Sequence, residues 1–327
     1  MELNFKTKTV IVAGDLILDK YVEGVVRRIS PEAPVPVVEL KREEYKPGGA
    51  ANVAVLLRHL GARVHLLGVI GDDENGNLLL SLIQNEGVDT SLVVREEKRP
   101  TTVKTRVISR SQHIVRLDKE VTRPVSTRTE QHVIKLLNRY ISDADAILIE
   151  DYDKGFLTPN LIEFLKKSNL PLYVDPKIKN MAYYTGVRLL KPNLREFMDS
   201  SGYRNSIDDV EFYENAYDFR KIQRADILLI TLGERGMLML EDGKILKIPT
   251  IKRDVYDVTG AGDMVIAAFT MADLSGYSSL DAALISSVAA GIEVTKMGAT
   301  PVSCDEIREA LDEEYSSIKD KVECISC

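Results

Sequence analysis

The sequence predicts an α/β fold in which a mostly parallel central sheet lies between two layers of helices. Short apolar runs rich in β-branched residues recur along the chain, and several end in a glycine or an acidic residue. Segments in which apolar residues recur at helical spacing separate these runs. Because strands that alternate with helices form parallel sheets covered on both faces, the two observations together predict this architecture.

The predicted strands bring polar residues to one edge of the sheet. The first run ends in Gly14 and Asp15, so a carboxylate follows a buried strand. Ligands gather at the carboxyl ends of parallel strands, and a functional site is expected there. Strands are predicted for residues 9–15, 63–72, 144–151, 172–176, 187–190 and 227–233, and helices for residues 52–60, 78–86, 130–140 and 161–167.

Two segments, at about 20–40 and 101–118, interrupt the alternation of strands and helices. In both, β-branched residues alternate with charged ones, which is typical of strands with one face in water. We expect them to form a small separate sheet, a β flap that covers the active site or pairs with a second subunit. The alternative is a solvent-exposed meander without a function.

Composition excludes several classes of protein. The chain has 327 residues, of which 44% are hydrophobic, enough for one large core with a small appendage. A net charge of −7 and the lack of a basic stripe exclude a nucleic-acid partner. No charge-free apolar run reaches about 18 residues, and the first residues lack the apolar core of a signal peptide, so we expect a cytoplasmic protein without a membrane partner.

The cysteines carry no chemical signal of their own. Only Cys304, Cys324 and Cys327 occur, and the last two form a Cys-x-x-Cys on the final residues. A metal or redox site needs a scaffold and further ligands, and no second Cys/His pair accompanies this one. We expect no metal or redox role for the pair.

A motif of small residues near the C-terminal end points to phosphoryl transfer. It runs from Asp257 to Asp263, contains Gly260 and Gly262, and precedes the apolar run 264–269. Small residues let backbone amides approach an anion at the start of a helix, and a carboxylate there can take a proton from an alcohol. The alternative is a glycine-rich helix start that Asp263 merely caps.

Two further motifs support a site for a sugar and a nucleotide. Gly48 and Gly49 allow close approach of a ligand, and Asn52 offers a donor and an acceptor to sugar hydroxyls. Asn193 and Glu196 have the spacing of a capping box, but they equally suit triphosphate oxygens and Mg²⁺. Neither the P-loop pattern nor the Rossmann glycine pattern occurs after the first strand, so those two nucleotide-binding folds lose support.

These motifs resemble those of a known family. Residues 48–52 and 257–263 resemble the two signatures of the PfkB/ribokinase family of sugar kinases, at their usual separation. Segments 28–37, 106–112, 116–118, 151–155 and 175–177 are similar, more narrowly, to the kinase domain of D-glycero-β-D-manno-heptose-7-phosphate kinases. The resemblance covers nearly the whole chain.

The resemblance implies a ribokinase-like three-layer sandwich with a β lid and transfer of the ATP γ-phosphoryl group to O1 of heptose 7-phosphate. It implies ATP and Mg²⁺ as cofactors, with K⁺ as a further candidate, and a homodimer formed through the lid. In the roles it implies, Asp263 is the catalytic base and Gly260, Ala261 and Gly262 form the anion hole. Nucleotide and Mg²⁺ contacts fall on Asn193, Glu196, Thr231 and Gly233, with Mg²⁺ held at Glu196 through water. Substrate contacts fall on Asp15, Gly48, Gly49, Asn52, Arg106, Asp151 and Lys177, and a monovalent cation on Asp257 and Thr259.

A phosphorylated substrate also requires cations for its distal phosphate. The candidates are Arg27, Arg28, Lys104, Arg106, Arg110, Arg116 and Lys177, and for each of them a solvated surface charge is the alternative.

The sequence departs from the family's pattern at two positions. Met264 stands where relatives often have Thr or Ser, and Glu150 stands where Ser is more usual. Some relatives carry a nucleotidyltransferase domain after the kinase, whereas here we expect residues 1–327 to form a single kinase domain. Two alternatives stay open: a kinase for another sugar, such as ribose or fructose 1-phosphate, and a catalytically silent sugar or nucleotide sensor.

Overall fold

The computed structural model describes residues 3–5, 7–110, 112–251, 253–254, 256–296 and 300–326, and its strands divide into two sheets. The strands are β1 (Thr9–Gly14), β2 (Leu16–Ile29), β3 (Pro36–Gly49), β4 (Arg63–Gly71), β5 (Asp89–Glu96), β6 (Thr102–Ser109), β7 (Gln112–Lys119), β8 (Ala146–Glu150), β9 (Leu172–Asp175), β10 (Leu189–Leu190), β11 (Ile227–Thr231), β12 (Met237–Glu241), β13 (Lys244–Ile248) and β14 (Glu323–Ser326). The α-helices are α1 (Ala50–His59), α2 (Glu74–Asn85), α3 (Thr127–Leu137), α4 (Pro159–Lys166), α5 (Leu194–Ser201), α6 (Val210–Gln223), α7 (Ala261–Ser275), α8 (Ser279–Glu293) and α9 (Cys304–Lys319).

The larger sheet is mostly parallel, as predicted. Its strand order is β14-β13-β12-β11-β10-β9-β8-β1-β4-β5. Every pairing from β11 to β5 is parallel, and β12, β13 and β14 extend one edge with antiparallel pairings. The carboxyl ends of the parallel strands therefore share one edge of the sheet.

Helices cover both faces of this sheet. Along β1, Val10 and Val12 belong to one apolar cluster, whereas Ile11 and Ala13 belong to the other. This alternation follows from the two-residue period of a strand. The first cluster includes side chains of α1, α2, α7, α8 and α9, and the second includes side chains of α3, α4, α5 and α6. The three-layer sandwich is confirmed.

The two segments that interrupt the alternation form the smaller sheet, which we call the lid. Its order is β3-β2-β6-β7, with β2 parallel to β6 and the other pairings antiparallel. Its strands are longer than the sequence predicted, since β2 starts at Leu16 and β3 continues to Gly49. Gly48 and Gly49 are therefore the last residues of a strand, and they join the lid directly to α1.

Predicted and observed helix boundaries differ in a consistent way. Helices α1 to α4 begin two to four residues before the predicted starts at residues 52, 78, 130 and 161. At three of these helices the side chain of Asp73, Ser126 or Thr158 accepts a hydrogen bond from a backbone amide of the first turn. Because a capped first turn is polar, the apolar periodicity begins about one turn late.

Some expectations concern features outside the two sheets. Among the described residues, no helix has the length and apolar character needed to span a bilayer. Cys304 opens α9 and Cys324 lies in β14, but Cys327 lies outside the described residues. The expected lack of a role for the terminal cysteine pair therefore stays a prediction.

Candidate active site

A cavity lies between the carboxyl edge of the large sheet, the start of α7 and the lid. It joins residues that are more than 200 positions apart in the chain, because β3 leads into α1 beside the N-terminus of α7. Its lining consists of Ile17, Asp19, Gly48, Gly49, Asn52, Lys104, Arg106, Tyr152, Thr259, Gly260 and Asp263. Most of the residues that the sequence motifs singled out for the sugar and the transferred phosphate are thus in one place.

The first turn of α7 is built to receive an anion. Gly260 caps the helix with φ 95°, a left-handed conformation that favours glycine. A Cβ on Gly262 would lie 3.5 Å from the Nζ atom of Lys191, so an ammonium group lies close to this position of the first turn. Helix-terminal amides and a nearby cation both attract phosphate oxygens.

Asp263 lies in that first turn, and its carboxylate is buried with 8% exposure. The Nδ2 atom of Asn52 donates to its Oδ2 at 2.7 Å, and the hydroxyl of Tyr152 donates to its Oδ1 at 3.4 Å. Burial raises the pKa of Asp263 to about 6. The hydrogen bond from Asn52 lowers this pKa, and the charge of Asp175 raises it. The group can be ionised at neutral pH and still accept a proton.

Two more acidic residues, Glu150 and Asp175, lie beside Asp263 at the ends of β8 and β9. Lys191 is 2% exposed and its Nζ atom bonds the Oδ2 atom of Asp175 at 2.6 Å. Burial lowers the pKa of Lys191, but Asp175 and Glu150 outweigh this and raise it, so the ammonium stays charged. Burial, and then Asp175 and Asp263, raise the pKa of Glu150 well above its usual range.

Asn193 and Glu196 form the capping box that was the structural alternative to a metal role. The Oδ1 atom of Asn193 accepts from the Glu196 amide at 2.9 Å, and the Oε2 atom of Glu196 accepts from the Asn193 amide at 3.0 Å. The other oxygen of Glu196 forms an ion pair with Lys177. Both carboxylate oxygens of Glu196 are thus engaged.

The residues expected to contact the nucleotide lie together. Asn193 pairs with Thr231 in an isolated parallel bridge, and the Thr231 amide donates to the carbonyl of Pro192 at 3.1 Å. Gly233 follows two residues later with φ 63° and begins a short 3₁₀ helix. The three residues therefore lie at or just after the ends of the neighbouring strands β10 and β11.

Gly48 and Gly49 are required for steric reasons. A Cβ on Gly48 would lie 2.4 Å from the Oδ2 atom of Asp19, and Gly49 has φ 59°. The backbone here passes directly against an acidic side chain of the lid. Sequence reasoning missed Asp19, which lines the cavity at the position where Asp15 was expected.

Asp15 and Asp151, which the resemblance assigns to the sugar, are not among the residues that line this cavity, and their contact with the sugar stays a prediction. Asp15 accepts hydrogen bonds from the amides of Tyr152, Lys154 and Phe156. Asp151 accepts from Asn180 and Tyr184 at 3.0 and 2.7 Å. Burial, followed by the charge of Asp151, raises the pKa of Asp15 to about 6. Both carboxylates hold the loop after β8 in place and are occupied by protein donors.

Some candidate cations for a distal phosphate line the cavity, whereas others lie on the surface of the lid. Arg106 forms an ion pair with Asp19 and lies over the ring of Tyr21, 5.3 Å from its centroid. Lys104 lines the cavity and lies 5.0 Å from the centroid of the Tyr152 ring, and burial, then Lys154, lowers its pKa. The more exposed Arg27 and Arg116 pair with acidic neighbours in the lid.

The loop before α7 holds the residues expected at a monovalent cation. The Thr259 amide donates to the Oδ1 atom of Asp257 at 2.9 Å. The amides of Tyr256 and Asp257 both donate to the carbonyl of Val294, which fixes the loop against the end of α8.

A cavity of about 520 Å³ elsewhere has a different character. It lies at the amino ends of β10 and β11, where Arg188 is bonded to Asp273 and Arg220 to the carbonyls of Ala225 and Asp226. Arg188 and Arg220 are thus bonded to groups of the protein itself. The residues of the sequence motifs line the other cavity, at the carboxyl edge.

Comparison with known proteins identifies the family of the chain. Residues 8–306 match the pfkB family carbohydrate kinases, and the chain belongs to this family. Bifunctional protein HldE of Geobacter sulfurreducens is 42% identical over 319 residues, covering 95% of this chain and 64% of that protein. Bifunctional protein HldE of Nitratiruptor sp. is 38% identical over 325 residues, covering 97% of this chain and 69% of that protein. The chain thus spans about two thirds of the length of these relatives.

The fold also matches a solved kinase structure. The crystal structure of phosphofructokinase-2 from Escherichia coli in complex with substrates and products superimposes with a TM-score of 0.78 at 18% identity, covering 96% of this chain and all of that one. The crystal structure of ribokinase from Thermotoga maritima also matches, with a TM-score of 0.73 at 21% identity over 93% of this chain and 99% of that one, so the fold is ribokinase-like. The family match makes the chain a carbohydrate kinase, a phosphotransferase with an alcohol acceptor.

Proposed function

We propose that the protein transfers the γ-phosphoryl group of ATP to O1 of D-glycero-β-D-manno-heptose 7-phosphate. The observation that carries the proposal is the buried Asp263 at the start of α7, bonded to Asn52 and covered by the cationic strand β6 of the lid. The motifs shared with heptose 7-phosphate kinases and the 42% identity to a protein named HldE support this acceptor.

In the proposed reaction, Asp263 accepts the proton of the sugar hydroxyl as its oxygen bonds to the γ-phosphorus. The bond between that phosphorus and the β-γ bridging oxygen breaks, and ADP leaves. Amides of the first turn of α7 and the ammonium of Lys191 stabilise the charge on the transferred group. The lid excludes water from the site.

ATP lies, in this proposal, along the ends of β10 and β11, in contact with Asn193, Thr231 and Gly233. Mg²⁺ is held near Glu196 through water, because the two oxygens of Glu196 are already bonded to Lys177 and to the Asn193 amide. Glu196→Gln keeps the capping box and removes one charge, so it should raise the magnesium concentration needed for half-maximal rate. An unchanged magnesium titration would leave Glu196 a capping residue only.

Four finer points belong to the same proposal. Asp257 and Thr259 contribute to a K⁺ site in the loop before α7. The described chain acts as a single kinase domain. Two copies associate through the lid, which exposes large apolar side chains such as Ile29, Leu40 and Leu117. The protein works in the cytoplasm, where its cosubstrate ATP is available.

An ADP-release assay across a panel of acceptors tests the proposal. Heptose 7-phosphate, unphosphorylated heptose, ribose and fructose 1-phosphate are compared at equal ATP and Mg²⁺. The highest kcat/KM should be for heptose 7-phosphate. A higher value for ribose or fructose 1-phosphate would overturn the proposed substrate but not the kinase activity.

A variant of the proposed base tests the catalytic role. Asp263→Asn should lower turnover by about 10²-fold or more while ATP still binds. Asp242→Asn is the matched control, because the side chain of Asp242 is 98% exposed. Binding of acceptor and ATP without turnover would favour a silent sensor.

A further inference from the structure

The two oxygens of the Asp263 carboxylate have different surroundings. Its Oδ2 atom accepts from the Nδ2 atom of Asn52 at 2.7 Å, a short bond between buried groups. Its Oδ1 atom accepts from the hydroxyl of Tyr152 at 3.4 Å, which is longer than an ordinary hydrogen bond between two oxygens. Because the longer bond is the weaker one, Oδ1 is the oxygen that can exchange its partner for a sugar hydroxyl.

Tyr152 is held in front of Asp263 by its own backbone. It lies in the loop after β8, and its amide donates to the Oδ2 atom of Asp15 at 2.9 Å. The amide of Lys154 donates to the same oxygen at 3.0 Å. Asp15 is only 3% exposed, so water does not compete for these bonds. The loop therefore sets the place of the tyrosine ring independently of Asp263.

Two ammonium groups lie close to the ring of Tyr152. The Nζ atom of Lys104 is 5.0 Å from the ring centroid, and that of Lys177 is 5.2 Å from it. Ammonium groups at this distance are attracted to an aromatic ring. Lys104 belongs to strand β6 of the lid, whereas Lys177 follows β9 of the large sheet. Tyr152 is thus in contact with the lid, with the large sheet and with Asp263.

The direction of the hydrogen bond between Tyr152 and Asp263 follows from the charges around the phenol. Burial, and then the charges of Asp263 and Glu150, raise the pKa of Tyr152 well above its usual range. The phenol therefore keeps its proton at neutral pH and donates it to the carboxylate. A donor of this kind stabilises the ionised form of Asp263, which is the form that can accept a proton.

We propose that Tyr152 is a positioning residue for the base: its hydroxyl directs the Oδ1 atom of Asp263 toward the acceptor, and its ring connects that oxygen to Lys104 of the lid. When the sugar enters, its hydroxyl takes the place of the phenol at Oδ1 and gives its proton to that oxygen, while Oδ2 stays bonded to Asn52. The inference rests on the proposed role of Asp263 as the base, but not on which sugar accepts the phosphate.

Tyr152→Phe distinguishes this role from simple packing, because the ring remains and only the hydroxyl is lost. The variant should lower kcat about tenfold, since one hydrogen bond to a charged group is lost, and should change the KM for ATP less than about twofold. Loss of the donor raises the pKa of Asp263, so the acidic limb of the kcat/KM profile should move to higher pH. The other charged groups near Asp263 stay in place in the variant: Asp19, Glu150, Asp175, Lys191 and Glu293.

A double-variant cycle tests the connection to the lid. Lys104→Met keeps most of the length of the side chain and removes its charge. It should lower kcat several-fold in the wild-type background but less than about twofold in the Tyr152→Phe background, where no hydroxyl is left to direct. Rates are measured at saturating sugar and ATP, so that a weaker contact of Lys104 with the substrate does not enter kcat. Tyr183→Phe is the matched control, because Tyr183 is 39% exposed, and it should match the wild type.

Each other result overturns a defined part of the proposal. A Tyr152→Phe variant with the kcat and the acidic limb of the wild type, folded by circular dichroism and thermal melts, would make Tyr152 a packing residue. Equal fractional losses from Lys104→Met in both backgrounds would remove the connection to the lid. Asp263→Asn is assayed beside these variants with the best acceptor of the panel. If it keeps its turnover, the proposed base fails; if it is inactive while Tyr152→Phe is fully active, only the role of Tyr152 fails.

Discussion

Single residues decide the chemistry here, and Asp263 is the clearest case. Its carboxylate is buried, so the protein keeps an acidic group in a place where the charged form is disfavoured. Such groups lower stability in exchange for reactivity. This loss of stability can be measured by unfolding.

Asp263→Asn should stabilise the fold at neutral pH. Burial raises the pKa of Asp263 to about 6 in the folded protein from 3.8, so the folded state binds this proton more tightly than the unfolded state does. Unfolding free energy therefore falls as pH rises from about 4 through about 6. The variant lacks this loss and should be more stable at pH 7 by roughly 1–3 kcal/mol, with the difference vanishing near pH 4. Urea unfolding at both pH values checks this, and a variant less stable than wild type at pH 7 would contradict it.

The two glycines before Asp263 should respond differently to alanine. A Cβ on Gly262 has room, 3.5 Å from the Nζ atom of Lys191. In the proposed anion hole, this Cβ would compete with a phosphate oxygen for the same space. Gly260 has φ 95°, where alanine is strained by about 1–2 kcal/mol. Gly262→Ala should thus lower kcat/KM about tenfold or more at unchanged Tm, whereas Gly260→Ala should lower both. Equal losses of Tm would contradict the anion-hole assignment of Gly262.

At the scale of residues, the sequence indicated which residues belong to the site better than it indicated their contacts with one another. Asp263, Asn52 and the two glycines were singled out because their motifs are local, but the hydrogen bond between Asn52 and Asp263 was not predicted. Asp15 and Asp19 both lie near the end of β1, and only the register of β2 against β3 puts Asp19 beside Gly48. Lys191 follows a short apolar strand, and that position was the available signal for a buried cation. Tyr152 gave no signal, since its contact with Asp263 depends on tertiary folding.

At the scale of elements, the lid positions cations over the site. Strand β6 carries both Lys104 and Arg106 into the cavity. The Arg106–Asp19 pair is mostly buried, with 13% and 9% of the side chains exposed. Removal of one partner leaves the other charge buried and unpaired.

Arg106→Ala should therefore be compared with the double variant Asp19→Ala/Arg106→Ala, which leaves no unpaired carboxylate. If Arg106 binds the distal phosphate, both variants should lose roughly 10- to 100-fold in kcat/KM for heptose 7-phosphate, because one charge-assisted contact is worth about 1.5–3 kcal/mol. Unphosphorylated heptose should lose little. Steady-state kinetics with both sugars checks this, and equal losses for both would mean that Arg106 only supports the lid.

The elements themselves were predictable where their patterns were strong. Buried parallel strands such as β1 and β8 are continuous apolar runs, and the sequence located them. It gave no prediction for β5 or for the antiparallel edge strands β12, β13 and β14. These strands are stabilised by their neighbours in the sheet. The start of a helix such as α2 was predicted too late, because its first turn carries a polar cap. Long-range pairing was the missing information.

At the scale of the whole molecule, the lid exposes more apolar surface than a free sheet needs. Leu40 is 55% exposed on β3, Leu117 is 58% exposed on β7, and these strands are the two edges of the lid. Exposed apolar residues grouped on one small sheet indicate an interaction surface. A second copy of the lid would cover them through a symmetric contact.

Charge placed on that surface should separate the copies. Leu40→Glu and Leu117→Glu should each shift the protein from dimer to monomer in analytical ultracentrifugation, because a buried unpaired carboxylate opposes the contact. Ile222→Glu is the matched control, since Ile222 is 71% exposed on α6, away from the lid. A wild-type chain that sediments as a monomer, or variants that dimerise as well as the Ile222 control, would remove the lid from the interface. If the lid must be held over the site for catalysis, the monomeric variants should also show a raised KM for the sugar at an unchanged thermal stability.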